Sequence, residues 1–213
     1  MSRPRPVSRT IKQAGEHEIE IRKSRFLCAV ARVGSEEEAR AFVQERRRLH
    51  FDARHHCSAY VVGEGGQTQK SNDDGEPAGT AGIPMLEVLR HRGLTNVVAV
   101  VTRYFGGVLL GAGGLIRAYS GATSETIDAV GVVELRPVRV VSTVVDHGRA
   151  GRFENDVRGA GYAVRDVRYG ADVRFDLLVP EPEIDAFRTW LAENTSGQAT
   201  ITLGETTYAE VDV

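Results

Sequence analysis

Asn96-Val97-Val98-Ala99-Val100-Val101-Thr102-Arg103-Tyr104-Phe105-Gly106-Gly107-Val108-Leu109-Leu110-Gly111-Ala112-Gly113-Gly114-Leu115-Ile116-Arg117-Ala118-Tyr119-Ser120 is the stretch on which the fold turns. Residues 96–102 are an almost unbroken β-branched run, the mark of a strand buried on both faces. Arg103, Tyr104 and Phe105 continue or end it. Gly106, Gly107, Gly111, Gly113 and Gly114 then lead into a helix in which Ile116, Tyr119, Thr123, Ile127 and Val130 recur at helical spacing and predict one apolar face. Arg117, Ser120 and Ser124 fall on another face, which predicts an exposed Arg117 near the positive end of its own helix.

Upstream, residues 17–22 and 25–33 read as two strands joined at Lys23-Ser24. Ser35 with Glu38 is a capping box; Glu36, Glu37 and Glu38 face the positive end of that helix and Arg46, Arg47 and Arg48 its negative end. Ala39, Phe42, Val43 and Leu49 form its expected buried stripe. Residues 57–62 and 67–71 read as a hairpin across Gly63, Gly65 and Gly66. A polar stretch, residues 72–80, follows, and Pro84 near a helix start opens a helix over 85–92 with Gly93 as its stop.

Downstream, residues 131–137 are the candidate domain boundary. The remainder reads as a strand (138–145), a helix (149–160), a hairpin (162–169 with 173–179), a helix from Pro182, and final strand material (200–211). That β-α-β-β-α-β order is the ferredoxin-like one. Phe187 and Trp190 at helical spacing are expected in its core. The fold class is α+β, with residues 1–16 a basic N-terminal tail, 17–131 a first domain and 137–213 a second.

The chain has 213 residues, 41% hydrophobic and 26% charged, an ordinary globular composition that excludes collagen-like and disordered chains. No apolar run approaches the ~20 residues of a membrane helix. The first ten residues carry Arg3, Arg5 and Arg9 without a hydrophobic stretch, so a secretory signal is not expected and a cytoplasmic location is. Net charge is −2, divided into +3 for residues 1–136 and −5 for residues 137–213. Residues 1–16 alone hold +3, which leaves 17–136 neutral. Nucleic-acid binding therefore requires a local patch.

Several constellations invite chemistry. The glycine cluster suits an anion, since glycine lets N–H groups approach one and a helix N-terminus adds field. Yet Ala112 stands where a Walker motif needs lysine, and Ile116 where a dinucleotide motif needs its third glycine. A phosphate or RNA cradle flanked by Arg103 and Arg117, and close packing of a loop on strands, both remain as readings. Arg54-His55-His56-Cys57 lacks the four ligands of a zinc site, and alternation places Cys57 with Ala59 and Val61 on a buried face. Asp73, Asp74 and Glu76 suit a hard cation by ligand type but fit no calcium loop. No catalytic residue, metal site or cofactor is assigned.

Residues 71–89, which run Ser-Asn-Asp-Asp-Gly-Glu-Pro-Ala-Gly-Thr-Ala-Gly-Ile-Pro-Met-Leu-Glu-Val-Leu, together with residues 96–120, resemble the IMPACT/YigZ family. Lys23-Ser24-Arg25-Phe26 and residues 55–60 look like family segments too, and the second domain matches the bacterial two-domain members in layout. The resemblance implies a first domain like the fourth domain of elongation factor G, a ribosomal-protein-like fold, and a ferredoxin-like second domain like its fifth. It implies a regulator of translation or stress response that binds RNA, the ribosome or a translation-associated protein. Eukaryotic members carry a further N-terminal domain that is not matched here.

On this reading the chain is a non-enzymatic binding module. Lys23, Arg25, Arg54, His55, Lys70, Arg103, Tyr104 and Arg117, with Gly106, Gly107, Gly113 and Gly114, supply contacts to RNA by phosphate neutralisation and stacking. The alternatives are an enzyme for a nucleotide or phosphorylated ligand, with Asp73, Asp74 and Glu76 holding a metal beside the glycine loop, and a protein-partner adaptor. No membrane partner is expected.

Overall fold

The computed structural model describes residues 8–63 and 65–213, so residues 1–7 of the expected basic tail, with Arg3 and Arg5, lie outside the described residues. The described residues form two compact units, 8–134 with 211–213, and 135–210. In chain order the elements of the first are β1 (Ser8–Ile11), β2 (Gly15–Ile21), β3 (Ser24–Arg32), α1 (Glu36–Leu49), β4 (His55–Val62), β5 (Thr68–Asn72), α2 (Gly82–His91), β6 (Val97–Tyr104) and α3 (Ala112–Val130). Of the expected tail, residues 8–11 are instead β1 and residues 15 and 16 begin β2.

β6 is the middle strand of an antiparallel sheet ordered β2-β3-β6-β4-β5. Its β-branched run is buried because helices cover both faces, as unbroken apolarity requires. On one face Val97, Ala99 and Val101 join Phe26, Cys28, Cys57 and Ala59 under α2 and α3. On the other, Val98 and Val100 join Tyr60 and Val62 under α1. The two faces alternate along every strand, which later divides the candidate residues.

Local chemistry sets the element ends. The Ser35 side chain accepts from the Glu38 N–H at 3.2 Å and caps α1, while the Glu38 carboxylate accepts from the Gly34 N–H at 2.6 Å. The β2–β3 turn is Arg22-Lys23, both at positive φ. Gly93 ends α2 at φ +66°. Two helix faces differ from expectation. In α3 the expected Tyr119, Thr123, Ile127 and Val130 are buried, joined by Leu115, Ala118 and Ala122, whereas Ile116 is 41% exposed. The small alanines let the helix lie close to the sheet and so take the core face. Leu49, expected in the stripe of α1, is exposed at its last residue.

The second unit begins within β7 (Val132–Val145), a strand that runs without a break through Pro137 where a boundary segment was expected. It continues through α4 (His147–Gly159), β8 (Ala163–Tyr169), β9 (Val173–Pro180), α5 (Ile184–Thr195) and β10 (Ile201–Asp212). Its strands lie in the order β8-β9-β7-β10. Val141, Phe153, Phe175, Phe187 and Leu191 form its core, with Trp190 partly buried and stacked on Phe187 at 5.6 Å between centroids. Among the described residues no helix is long and apolar enough to cross a membrane.

Candidate functional site

Alternation along β6 carries Arg103 to the α3 face, following Val97, Ala99 and Val101. There it is almost wholly buried, as is Glu76 from the loop before α2. Arg103 Nη1 donates to Glu76 Oε1 at 2.7 Å, and Tyr119 Oη from α3 donates to the same oxygen at 2.7 Å. The guanidinium carbon stands 5.3 Å from the Phe26 ring centroid and 5.5 Å from that of Phe105. Its Nη2 approaches Ser24 Oγ at 3.5 Å, and Ser24 Oγ also accepts from the Gly106 N–H at 3.1 Å. Desolvating two charges costs several kcal/mol per ion, so this pair persists only because such partners surround it. Burial pushes the Tyr119 hydroxyl pKa far up, which keeps it a neutral donor.

The acidic loop is equally committed to the protein. Asp73 Oδ1 accepts from the N–H groups of Ala81 and Gly82 at 3.0 and 2.8 Å, and its Oδ2 accepts from Gly79 N–H at 2.8 Å. Burial works against the charge, but these three donors hold the Asp73 carboxyl below its ordinary value. Asp73 thus occupies the positive start of α2, and that helix begins at Gly82 rather than beside Pro84. Asp74 accepts from the His56 N–H at 2.7 Å and pairs with Arg47. Its carbonyl meets His55 Nδ1 at 2.9 Å. Among the described residues no three histidine, cysteine or acidic groups converge as metal ligands. The carboxylates of the supposed cation loop are taken up by protein donors, so the metal-holding alternative is not favoured.

Cys57 is buried and its Sγ donates to the Asp73 carbonyl at 2.9 Å. Burial raises its thiol pKa to about 12, and that of buried Cys28 to about 11. Neither is a nucleophile at neutral pH.

The glycine loop contains both a packing glycine and one wall of a cleft. A Cβ on Gly106 would lie 2.0 Å from the Lys23 carbonyl carbon, so that glycine exists to let the loop touch the β2–β3 turn. Gly107 and Gly111 adopt positive φ, and Gly113 and Gly114 lie in the first turn of α3. Between this loop and the Glu76–Arg103 pair opens a cleft of about 410 Å3. Arg54, His55 and Pro77 line one part of it and Phe105, Leu109, Leu110, Ala112 and Leu115 the other. Phe105 and Leu109 are 47% and 82% exposed.

The residues expected to act together are divided by the sheet. Arg54, His55, Arg103 and the glycine loop belong to the cleft, with Arg117 exposed on the first turns of α3. Arg25, Tyr104 and Lys70 belong to the α1 face. Arg25 lies opposite Tyr104 in register, 5.2 Å over its ring, and forms two bonds of 2.8 Å with Glu18. Tyr104 Oη meets His50 Nδ1 at 2.8 Å. Lys70 pairs with Glu36 and, with the Tyr60 hydroxyl, holds that carboxyl down to about 2. Lys23 stands exposed at the β2–β3 turn. Arg103, expected as a phosphate partner, is instead an internal cation matched by Glu76. Sequence reasoning also missed Ser24, Tyr119 and the lining residues Phe105, Leu109 and Leu110. Large apolar side chains set inside a glycine-rich loop were the available signal, since loops otherwise avoid them.

These features describe a two-domain α+β chain whose first unit presents a cleft beside a buried ion pair. A family profile described as the Impact N-terminal domain matches residues 22–127, and a domain of unknown function, DUF1949, matches residues 143–198. The chain is 50% identical to the IMPACT family member YvyE of Bacillus subtilis over 94% of its own length and 93% of that protein. It is 36% identical to the IMPACT family member YigZ of Escherichia coli, covering 84% and 88% of the two chains. A solved structure described only as a hypothetical protein is 33% identical, with a TM-score of 0.59 over 93% of this chain and 98% of that one. The chain belongs to the IMPACT family. That membership supports a regulatory or translation-related role.

Proposed function

We propose that this chain is a non-enzymatic regulator of translation or stress response, acting in the cytoplasm by binding RNA, on the ribosome or free. The observation that carries this reading is exposed Arg54 on the wall of a cleft that also holds a half-exposed aromatic, Phe105, with exposed Lys23 on the turn against which Gly106 packs and exposed Arg117 on the first turns of α3, while Asp73, Asp74 and Glu76 are satisfied internally. Such a surface is locally positive although residues 17–136 carry no net charge. The fold reading is consistent with it. The order β8-β9-β7-β10 supports a ferredoxin-like second unit, and for the first unit the likeness to the fourth domain of elongation factor G is carried by the family resemblance alone. A translation-associated protein is the other partner this family role would supply.

Co-sedimentation with ribosomes over a salt series tests the proposal. Association at low ionic strength is expected, with affinity falling linearly on logarithmic axes as salt rises. Arg54→Ala and Arg117→Ala are each expected to lower that slope by about 1. No association at low salt overturns it.

A further inference from the structure

We infer that the cleft beside Glu76 and Arg103 receives one unstacked nucleotide of a single-stranded RNA, its base against Phe105 and its phosphate toward the start of α3. The inference rests on the RNA-binding reading above and adds to it the part of the RNA that is gripped.

Three features converge. The cleft holds about 410 Å3, within the roughly 300–1,000 Å3 of small-molecule sites, and combines apolar walls with a few polar groups, as such sites do. Phe105 has the Arg103 guanidinium 5.5 Å from its ring centroid and is still 47% exposed, so an aromatic plane backed by a cation is open to a stacking partner. α3 is 19 residues long and is preceded at its N-cap by Gly111, which has no side chain to cap its first N–H groups, with Ala112 and Gly113 exposed there. Arg54 stands on the same cleft, so both charge and helix field favour an anion.

These features select a nucleotide over simpler ligands. A bare anion leaves the apolar wall unused, and an aliphatic side chain leaves the helix start and Arg54 unused. A base within a duplex is stacked on both sides and cannot enter, whereas single strands offer splayed bases to aromatic side chains. Arg117, beyond the mouth on the first turns of α3, is placed for a neighbouring phosphate of the same strand.

The test is fluorescence anisotropy of the full chain with a labelled eight-nucleotide single-stranded RNA, a duplex of the same length, and adenosine monophosphate and inorganic phosphate as competitors. Single-stranded RNA is expected to bind at least about tenfold more tightly than duplex, and Phe105→Ala to weaken it by about tenfold, with Phe105→Tyr restoring most of the loss. Circular dichroism of the variants confirms that they are folded. Equal binding of duplex, or oligonucleotide binding unchanged in Phe105→Ala, overturns the inference. If the monophosphate alone binds as tightly as the oligonucleotide, the source is a free nucleotide and the strand assignment falls. Ribosome co-sedimentation run alongside separates the two readings. Salt-sensitive sedimentation that Phe105→Ala leaves intact, with no effect on oligonucleotide binding, overturns the cleft and spares the general RNA reading; no association of either kind removes both.

Discussion

Glu76 and Arg103 lie 27 residues apart in sequence and form an ion pair of 2.7 Å with side chains only 4% and 7% exposed. Its removal one partner at a time leaves the other as an uncompensated buried charge. Arg103→Ala and Glu76→Ala are each expected to lower stability by about 3–5 kcal/mol, whereas the joint change Arg103→Met with Glu76→Leu costs far less. Urea denaturation of the three variants, compared at constant m-value, measures the difference. Equal losses in the single and joint variants contradict the account.

Tyr119 contributes a neutral hydroxyl to the same carboxylate oxygen. Tyr119→Phe keeps the ring packed edge-on against Phe26 and deletes only that donor, so the expected loss is about 1.5–3 kcal/mol, the range for a hydrogen bond to a charged group. A loss as large as that of Arg103→Ala in the same denaturation assay tells against this division of labour.

Gly106 admits no side chain without moving the β2–β3 turn. Gly106→Ala is expected to destabilise the first unit by about 1–3 kcal/mol through overpacking, while Gly65→Ala, which meets no atom within 4 Å, shows only the smaller penalty of its positive φ. Paired thermal melts of the two variants decide the matter.

Stability is expected to weaken on mild acidification. Burial lowers the pKa of both His56 and His50 below their ordinary 6.5. The unfolded chain therefore takes up protons at these rings first as pH falls. The stability that depends on their neutral forms is complete above 6.5 and is lost as pH drops through the lowered native values. Denaturation midpoints at pH about 7.5 and about 5.5 are expected to differ, with His56→Gln flattening the slope.

Both thiols should be silent in the native protein. With Cys28 and Cys57 buried and raised to about 11 and about 12, a thiol reagent near pH 7.5 is expected to modify neither until denaturant is added. Mass spectrometry of intact protein before and after unfolding counts the adducts, and rapid labelling of folded protein refutes the burial argument.

How far the fold was legible follows from how local each signal was. Ser35 as a cap, the β-branched run of β6 and the turn ending at Gly93 all act within a few residues and are read directly from spacing. The face of α3 was legible in Tyr119, Thr123, Ile127 and Val130, and failed only at Ile116, which outweighs Ala118 and Ala122 in any hydrophobic pattern although a helix lying close on a sheet buries its small residues. The candidate site was legible in its parts and not in its grouping. Arg103 and Tyr104 are neighbours in sequence, yet alternation sends one to the cleft and the other to the α1 face, away from each other. That a cation and a carboxylate 27 residues apart are both buried has no local signature, since charged residues are exposed by default.

The loop over residues 72–82 has a further consequence. Its composition is that of a flexible surface connection, but Asp73 draws together Gly79, Ala81 and Gly82 while Cys57 holds its carbonyl from below. The wall that carries Glu76 and Pro77 is thus already in its final shape before any partner arrives. Association at this wall incurs little ordering entropy, so its affinity for a partner is governed by the contacts themselves rather than by the cost of freezing a loop.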